Sequence, residues 1–372
     1  MVVVTNVRIT ERLLLQPLSC GSGFRDPWNV LRLLMKHYGI MMRIVKGFKR
    51  LLVFLVTWSI SANPLQGEVP AVTDSHQTRL RLQAHLSMLT RSIGERSVRI
   101  PENLERTAAY IRSSIESFQL PVHYEPYRYH RTTVNNVVAT LKPSHSPSVH
   151  YVLGAHYDSV AGTVGADDNA SAIAVQLETA RELSLLASHE MLDVMVTFVF
   201  FALEEPPVYG SRYMGSRRYA EKAKKEKMQI DGMICLEMVG YSCRKPGCQR
   251  YPFPLMFFGY PRDGRFIGIA GNFRSRSLTR DLSMAFKKNR ELPVISLTVP
   301  FDGWVVPNIR LSDHASFWDN GYRAVMITDS AFYRNPHYHL VSDKMETLDF
   351  SFMTELVESL VTFFRSYRSE PN

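Results

Sequence analysis

Nothing in this chain repeats. Its 372 residues contain no internal repeat and no low-complexity tract, which excludes fibrous and disordered architectures. Basic excess is also missing from most of the chain. The formal net charge is +9, but residues 1–62 hold nine Lys/Arg against two Asp/Glu, and residues 63–372 carry only +2. A nearly neutral domain lacks the basic face that binds nucleic acid, so that partner is excluded. Cysteine is scarce, with four residues. No second Cys or His pair lies near Cys243 and Cys248, which disfavours a zinc knuckle. No apolar stretch has the roughly 20 residues of a membrane-spanning helix; Leu51–Ala62 has 12.

What is present begins with a leader. MRIVKGFKR, ending at Arg50, is a charged segment ahead of the apolar LLVFLVTWSISA, with small residues Ser59, Ser61 and Ala62 before Asn63. This reads as a cleaved signal peptide, with an uncleaved anchor as the other reading. Residues 1–40 show neither periodicity nor turn logic, so translation is expected to start at Met41 or Met42. The expected organisation is a leader at 1–62, a linker at 63–76 and one folded domain at 77–372, exported to the periplasm or secreted. With 45% hydrophobic residues the chain can bury a large core. Cys243 and Cys248 flank the turn-forming RKPG and are expected to close a small disulfide loop outside the cytoplasm. Cys235, in an apolar strand-like run, is expected to be a buried free thiol.

Helical periodicity is expected over Gln77–Ile93, Asn103–Phe118, Asn169–Leu186, Ser211–Lys225, Ser277–Arg290 and Phe350–Phe364, with a short helix from Asp313-His314 to Gly321. Strand-like runs cover Val122–Tyr129, Val134–Leu141, Val149–Ala155, Val194–Ala202, Gly232–Leu236, Leu292–Val299 and Tyr322–Thr328. Strands alternate with helices. The predicted fold is therefore α/β: one domain with a central mixed, mostly parallel sheet flanked by helices on both faces.

Three of these strands release acidic or imidazole groups at their carboxyl ends. After Val149–Ala155 come His156, Asp158, Asp167 and Asp168; after Val194–Ala202 come Glu204 and Glu205; after Gly232–Leu236 comes Glu237. The first of these loops, alone, is equally well a solvated turn with a helix cap. Two adjacent carboxylates leaving a buried strand are costly without cations, however, and the pattern recurs at the edge where open α/β sheets bind ligands. One of His337 or His339 completes a set of imidazole and carboxylate donors suited to two zinc ions.

The ordered fragments GAHYDSV, GADDNAS, FALEEPPVYGSRYM, ICLEMVGY, SDHASFWDNGYRAVMITD and PHYHLVSDKMETLDF resemble the co-catalytic zinc aminopeptidases of metallopeptidase family twenty-eight, over roughly His85 to Phe364. The resemblance implies two zinc ions per chain. One would be held by His156, Asp168 and Glu237, the other by Asp168, Glu205 and His339, with Asp168 bridging and Asp167 a loop residue. It implies Glu204 as general base for the metal-bridging water, Asp158 as the carboxylate orienting His156, and Tyr338 as a phenol stabilising the oxyanion. His337 is then a wall residue and His314 a structural histidine. One departure stands out: the family's usual residue at position 237 is Asp, and here it is Glu.

The implied activity is exopeptidase hydrolysis, foremost removal of N-terminal residues from peptides by a monomer, with the membrane reached only through a retained anchor. A glutaminyl-cyclase-like enzyme with one zinc shares the fold, and a non-catalytic binding ectodomain is the reading from another class. The loop Ser242–Pro261 and the stretch Pro300–Leu311, with Phe301, Trp304 and Val306, are expected to line the pocket for a hydrophobic first residue.

Overall fold

The structure, a computed structural model, describes residues 74–143, 146–252 and 259–367. The leader and most of the linker lie outside the described residues. Asp74 opens the domain by accepting hydrogen bonds from the amides of His76 and Gln77 at 3.1 and 3.2 Å, and a carboxylate there caps the first turn of a helix. Helix α1 therefore starts at Ser75 (Ser75–Ser87), and the last two residues of the expected linker are already helical. Then follow α2 (Pro101–Ser117), β1 (Val122–Tyr129), β2 (Thr132–Leu141), β3 (Val149–His156), α3 (Ala172–Ala187), β4 (Val194–Phe201), α4 (Gly215–Lys225) and β5 (Gly232–Glu237). The remainder is β6 (Ile267–Asn272), α5 (Arg276–Phe286), β7 (Val294–Val299), α6 (His314–Asp319), β8 (Ala324–Thr328) and α7 (Phe350–Arg365).

The eight strands form one sheet in the order β1-β2-β4-β3-β5-β8-β6-β7. The four central strands, β4, β3, β5 and β8, are mutually parallel, and antiparallel pairings join them to β2 on one side and β6 on the other. Alternate residues of each strand point to opposite faces, and both faces are covered. Leu153, Ala155, Phe198, Phe200, Ile234 and Leu236 pack into the larger core with α1, α2, α3, α5 and α7. Val152, Val199, Phe201, Met233 and Cys235 join Tyr219 and Ala220 of α4 and Phe317 and Trp318 of α6 in the smaller one. Strands apolar on both faces read in sequence as continuous runs, as VMVTFVFF of β4 does.

Strand β6 is the element that sequence periodicity did not show. Its IGIAGN carries two glycines, which weaken the strand signal. At Gly271 a Cβ would stand 2.3 Å from the Thr279 hydroxyl of α5, so the glycine is there to let the helix approach. Helix α3 begins three residues later than expected because Asp168 (φ −105°, ψ 87°) and Asn169 (φ −133°, ψ 33°) are not helical. Among the described residues no helix is long and apolar enough to cross a membrane.

Candidate metal centre

The parallel registers bring the chemistry together. His156 ends β3 opposite Phe201 of β4, and Glu237 ends β5 opposite Thr328 of β8. Glu204 and Glu205 follow β4 directly. The chain then has to bend within a residue or two, and the left-handed backbone at Leu203 (φ 60°) and Met238 (φ 47°) makes these bends; His339 (φ 58°), in the loop after β8, is left-handed too. Such conformations cost non-glycine residues about 1–2 kcal/mol each and persist where surrounding structure holds them, often at functional sites.

Asp168 lies at the middle. Its Oδ1 is 3.4 Å from His156 Nε2 and its Oδ2 is 3.2 Å from His339 Nε2. Glu237 Oε2 is also 3.4 Å from His156 Nε2, and Glu205 Oε2 is 3.3 Å from His339 Nε2. His156, Asp168 and Glu237 thus form one group of donor atoms lying within 4.8 Å of one another; Asp168, Glu205 and His339 form a second. Glu204 Oε2 is 4.0 Å from His156 Nε2, and Glu204 joins His156 and Glu205 in a third such group. All of these residues are buried except His339, which is partly exposed.

The surroundings hold these groups in place. Asp158 Oδ1 is 3.3 Å from His156 Nδ1, and the two oxygens of Asp158 accept from the amides of Glu204 and Glu205 at 2.9 and 3.0 Å. Asp343 accepts from the amides of Asp167 and Asp168 at 2.8 and 3.2 Å. Asn169 donates to the Leu236 carbonyl and accepts from the Met238 amide, tying the Asp168 loop to the end of β5. Asp167 turns away from the cluster: its carboxylate accepts from the Gly240 amide at 2.8 Å and from Asn335 at 2.6 Å. The guanidinium of Arg96, fully buried, donates to the carbonyls of Tyr157, Val164 and Gly165 and so braces the loop after β3. At Gly165 (φ 49°) a Cβ would strike the Asp168 carbonyl at 2.1 Å, so only glycine fits that bend.

The electrostatics are those of carboxylates crowded out of water. Burial, with the like charges of Glu205 and Glu237, holds the Glu204 carboxyl well above its usual range. Burial and the nearby Asp168 push Glu205 up to about 8. Burial opposes charge on both imidazoles, but the carboxylates outweigh it: His339 is pushed up to about 10 by Asp168 and Glu205, and His156 is raised well above its usual value by Glu237, Asp158 and Asp168. His156 Nε2 and Glu205 Oε1 are buried without a hydrogen-bond partner among the described residues. Buried polar atoms are rarely left unpaired, and a nitrogen facing several carboxylate oxygens is the donor set that zinc takes. The residues present therefore fit the metal.

Other expectations resolve here. His337 faces elsewhere, with Nδ1 3.0 Å from Ser342 Oγ and its ring edge-on to Tyr241. His314 is buried and bonds the Ile309 carbonyl through Nε2 at 2.7 Å, as a structural histidine should. Cys243 and Cys248 are joined in a disulfide, and Cys235 is a buried free thiol. Tyr338 stacks on His339 with centroids 3.8 Å apart. Phe301 and Trp304 are 75% and 66% exposed, whereas Val306 packs against the smaller core instead of facing outward. Sequence reasoning missed Ser312, whose hydroxyl donates to Glu237 at 2.6 Å, as well as Asp343 and Arg96. Ser312 directly precedes the helix-starting Asp313-His314 and looks there like ordinary capping chemistry.

This fold and site define an open-sheet α/β protein with groups of metal-binding donors at the carboxyl ends of its parallel strands. Residues 136–363 match the model of Peptidase family M28. An uncharacterised Escherichia coli (strain K12) protein, YfbL, is 34% identical over 337 residues, covering 87% of this chain and 98% of its own. The chain belongs to Peptidase family M28, and is a metal-dependent peptidase. Leucine aminopeptidase 1 of Trichophyton rubrum is 29% identical over 63% of this chain, which spans 58% of that relative's length. The structure is also similar to BSAP, a zinc aminopeptidase from Bacillus subtilis, with a TM-score of 0.60 and 16% identity over 82% of this chain and 97% of that one.

Proposed function

We propose that the protein is an exported dizinc aminopeptidase that hydrolyses the first peptide bond of peptides with a hydrophobic N-terminal residue. The observation that carries this reading is the two-sided presentation of Asp168, one oxygen toward His156 and the other toward His339. His156, Asp168 and Glu237 would hold one ion; Asp168, Glu205 and His339 the other. Zinc bound there supplies Lewis acidity, lowering the pKa of a water and polarising the scissile carbonyl.

The remaining work falls to side chains of this chain. Glu204 is the general base: burial and like-charge neighbours raise its affinity for a proton, so it can take one from water and return it to the leaving amine. Asp158 fixes His156 through Nδ1 and fixes the Glu204-Glu205 backbone through its amides, which holds base and ligands in one frame. The phenol of Tyr338, kept protonated by burial beside Asp168 and Glu205, donates to the oxygen that gains charge in the transition state. Phe301 and Trp304, presented by the stretch that Arg310 organises through Asp302 and Asp319, supply apolar surface for the substrate. The Cys243–Cys248 disulfide supports an oxidising compartment, in keeping with the leader read at residues 41–62.

Two donor groups sharing a carboxylate favour hydrolysis over the one-zinc cyclase reading. The test is metal content together with a panel of aminoacyl-nitroanilides on protein beginning at Asn63. Two zinc per chain and chelator-sensitive release are expected, and Glu204→Gln should lower kcat about 10²–10⁴-fold with metal retained. One zinc with cyclisation of N-terminal Gln, or full activity in Glu204→Gln, would overturn the reading.

A further inference from the structure

Between β7 and α6 the chain runs as a strap, residues 300–311, that turns back on itself through three left-handed residues, Phe301 (φ 52°), Asp302 (φ 50°) and Gly303 (φ 82°). Val306 packs against the smaller core, to which Ile309 belongs. These two inward side chains leave Trp304 and Val305 outward, 66% and 53% exposed. Trp304 does not stand free. The Arg310 guanidinium lies 4.1 Å from its ring centroid, a cation–π contact, and donates to the Asp302 carbonyl at 2.7 Å and to Asp319 at 2.6 Å. Arg310 therefore folds the strap around itself and sets the plane of the indole.

Tyr209 ties this strap to the turn that carries the carboxylates. Its amide donates to the Glu205 carbonyl at 3.3 Å, so its backbone belongs to the turn of Glu204 and Glu205. Its hydroxyl crosses to the strap and donates to the Arg310 carbonyl at 2.9 Å. Burial first, and then the charge of Glu204, raise the hold of the phenol on its proton, which keeps it a donor. Asn308 makes a second, exposed tie, to the Tyr333 hydroxyl at 2.8 Å. The Trp304 wall and the Glu204 turn are thus joined through one phenol, and the spacing between them is the room left for a side chain.

We infer that Tyr209 is a positioning residue for specificity, whose hydroxyl fixes the distance from the Trp304 wall to the Glu204-Glu205 turn and so favours a bulky apolar first side chain over a small one. The inference rests on the aminopeptidase reading. Tyr209→Phe keeps the ring and removes only the hydroxyl. In the full chain, hydrogen exchange of the amides of residues 303–309 should quicken about 3- to 10-fold, the range of one hydrogen bond, with exchange over β3, β4 and β5 unaltered. KM for leucyl-nitroanilide should rise by a similar factor with kcat held within about twofold, while kcat/KM for alanyl-nitroanilide, which has no side chain beyond Cβ to meet the wall, should change by less than about twofold. Once Trp304→Ala has removed the indole, Tyr209→Phe should no longer move the leucyl-to-alanyl ratio. Equal loss on both substrates, or the same fall in the ratio in the Trp304→Ala background, would show a merely structural tyrosine and overturn the inference, as would unquickened exchange. A parent that cleaves both substrates while Tyr209→Phe leaves their ratio unmoved sinks this inference alone; one that cleaves neither sinks the aminopeptidase reading with it.

Discussion

The two donor groups that meet at Asp168 are built from different material. His156 and Glu237 are the last residues of adjacent central strands, with side chains only 1% and 9% exposed. Each has a buried partner of its own, Asp158 for the first and Ser312 for the second. Glu205 and His339 come from the turns after β4 and β8, and the His339 side chain is 28% exposed. No described hydrogen bond engages Glu205 Oε1, and His339 is braced by its stack on Tyr338. The difference is between a group set by the sheet and a group set by loops. A ligand on a rigid element keeps its geometry whether or not an ion is present, while loop ligands are drawn into place partly by the ion itself.

The harshest way to break this contrast is to remove what both groups share. Asp168→Asn should leave almost no zinc after dialysis, whereas Glu237→Gln and His339→Ala should each retain about one ion per chain; elemental analysis of the purified variants decides it. Asp168→Asn with one ion retained would mean that the groups do not share a bridge. A finer measurement is graded chelation of the unaltered protein. The group of Glu205 and His339 should empty at a chelator concentration about tenfold lower than the group of His156 and Glu237, followed as two steps in zinc release. The smallest effect separates the site from the core beneath it. Burial holds His314 down at about 3, below its value of roughly 6.5 in the unfolded chain. A depressed histidine contributes stability above the unfolded pKa and loses it as pH falls, because the unfolded chain takes up the proton first. Between pH 6.5 and 5 the chain should lose about 2 kcal/mol on this account. Metal-free His314→Gln should show a correspondingly flatter pH dependence of denaturant midpoint, and equal slopes would remove His314 as the cause.

Much of this was legible because buried strands and their ends are written locally. VMVTFVFF announces a two-faced strand, and the carboxylates following it have no reason to stand there unless something cationic joins them. The choice between Asp167 and Asp168 was not legible from composition. It required the family resemblance; in the structure the Asp167 carboxylate accepts from the Gly240 amide and Asn335. The strand β6 was hidden because its glycines serve the approach of α5 and so erase the periodic signal. Ser312, Asp343 and Arg96 were hidden for another reason. Each acts on the site through a long-range hydrogen bond, to Glu237, to the Asp167 and Asp168 amides, or to the loop carbonyls after β3. Nothing in their immediate sequence marks the distant partner. His339 and its neighbour His337 look alike in composition; the family resemblance tells them apart, and in the structure His339 Nε2 faces Asp168 and Glu205 while His337 Nδ1 meets Ser342.

The crowding of buried acids around Asp168 reaches beyond catalysis. Glu204, Glu205, Asp313, Asp329 and Asp343 all hold protons more tightly than free carboxyls, with burial as the first cause. At neutral pH the metal-free fold therefore carries charge repulsion or uptake of protons that the unfolded chain escapes. Ions that bind only the folded chain reverse this by mass action, adding about 2.7 kcal/mol for a site at a hundred times its dissociation constant. With zinc held and the chain exported as proposed, the lifetime of the protein among proteases follows the free zinc around it, so that the amount of enzyme surviving becomes a gauge of local metal supply.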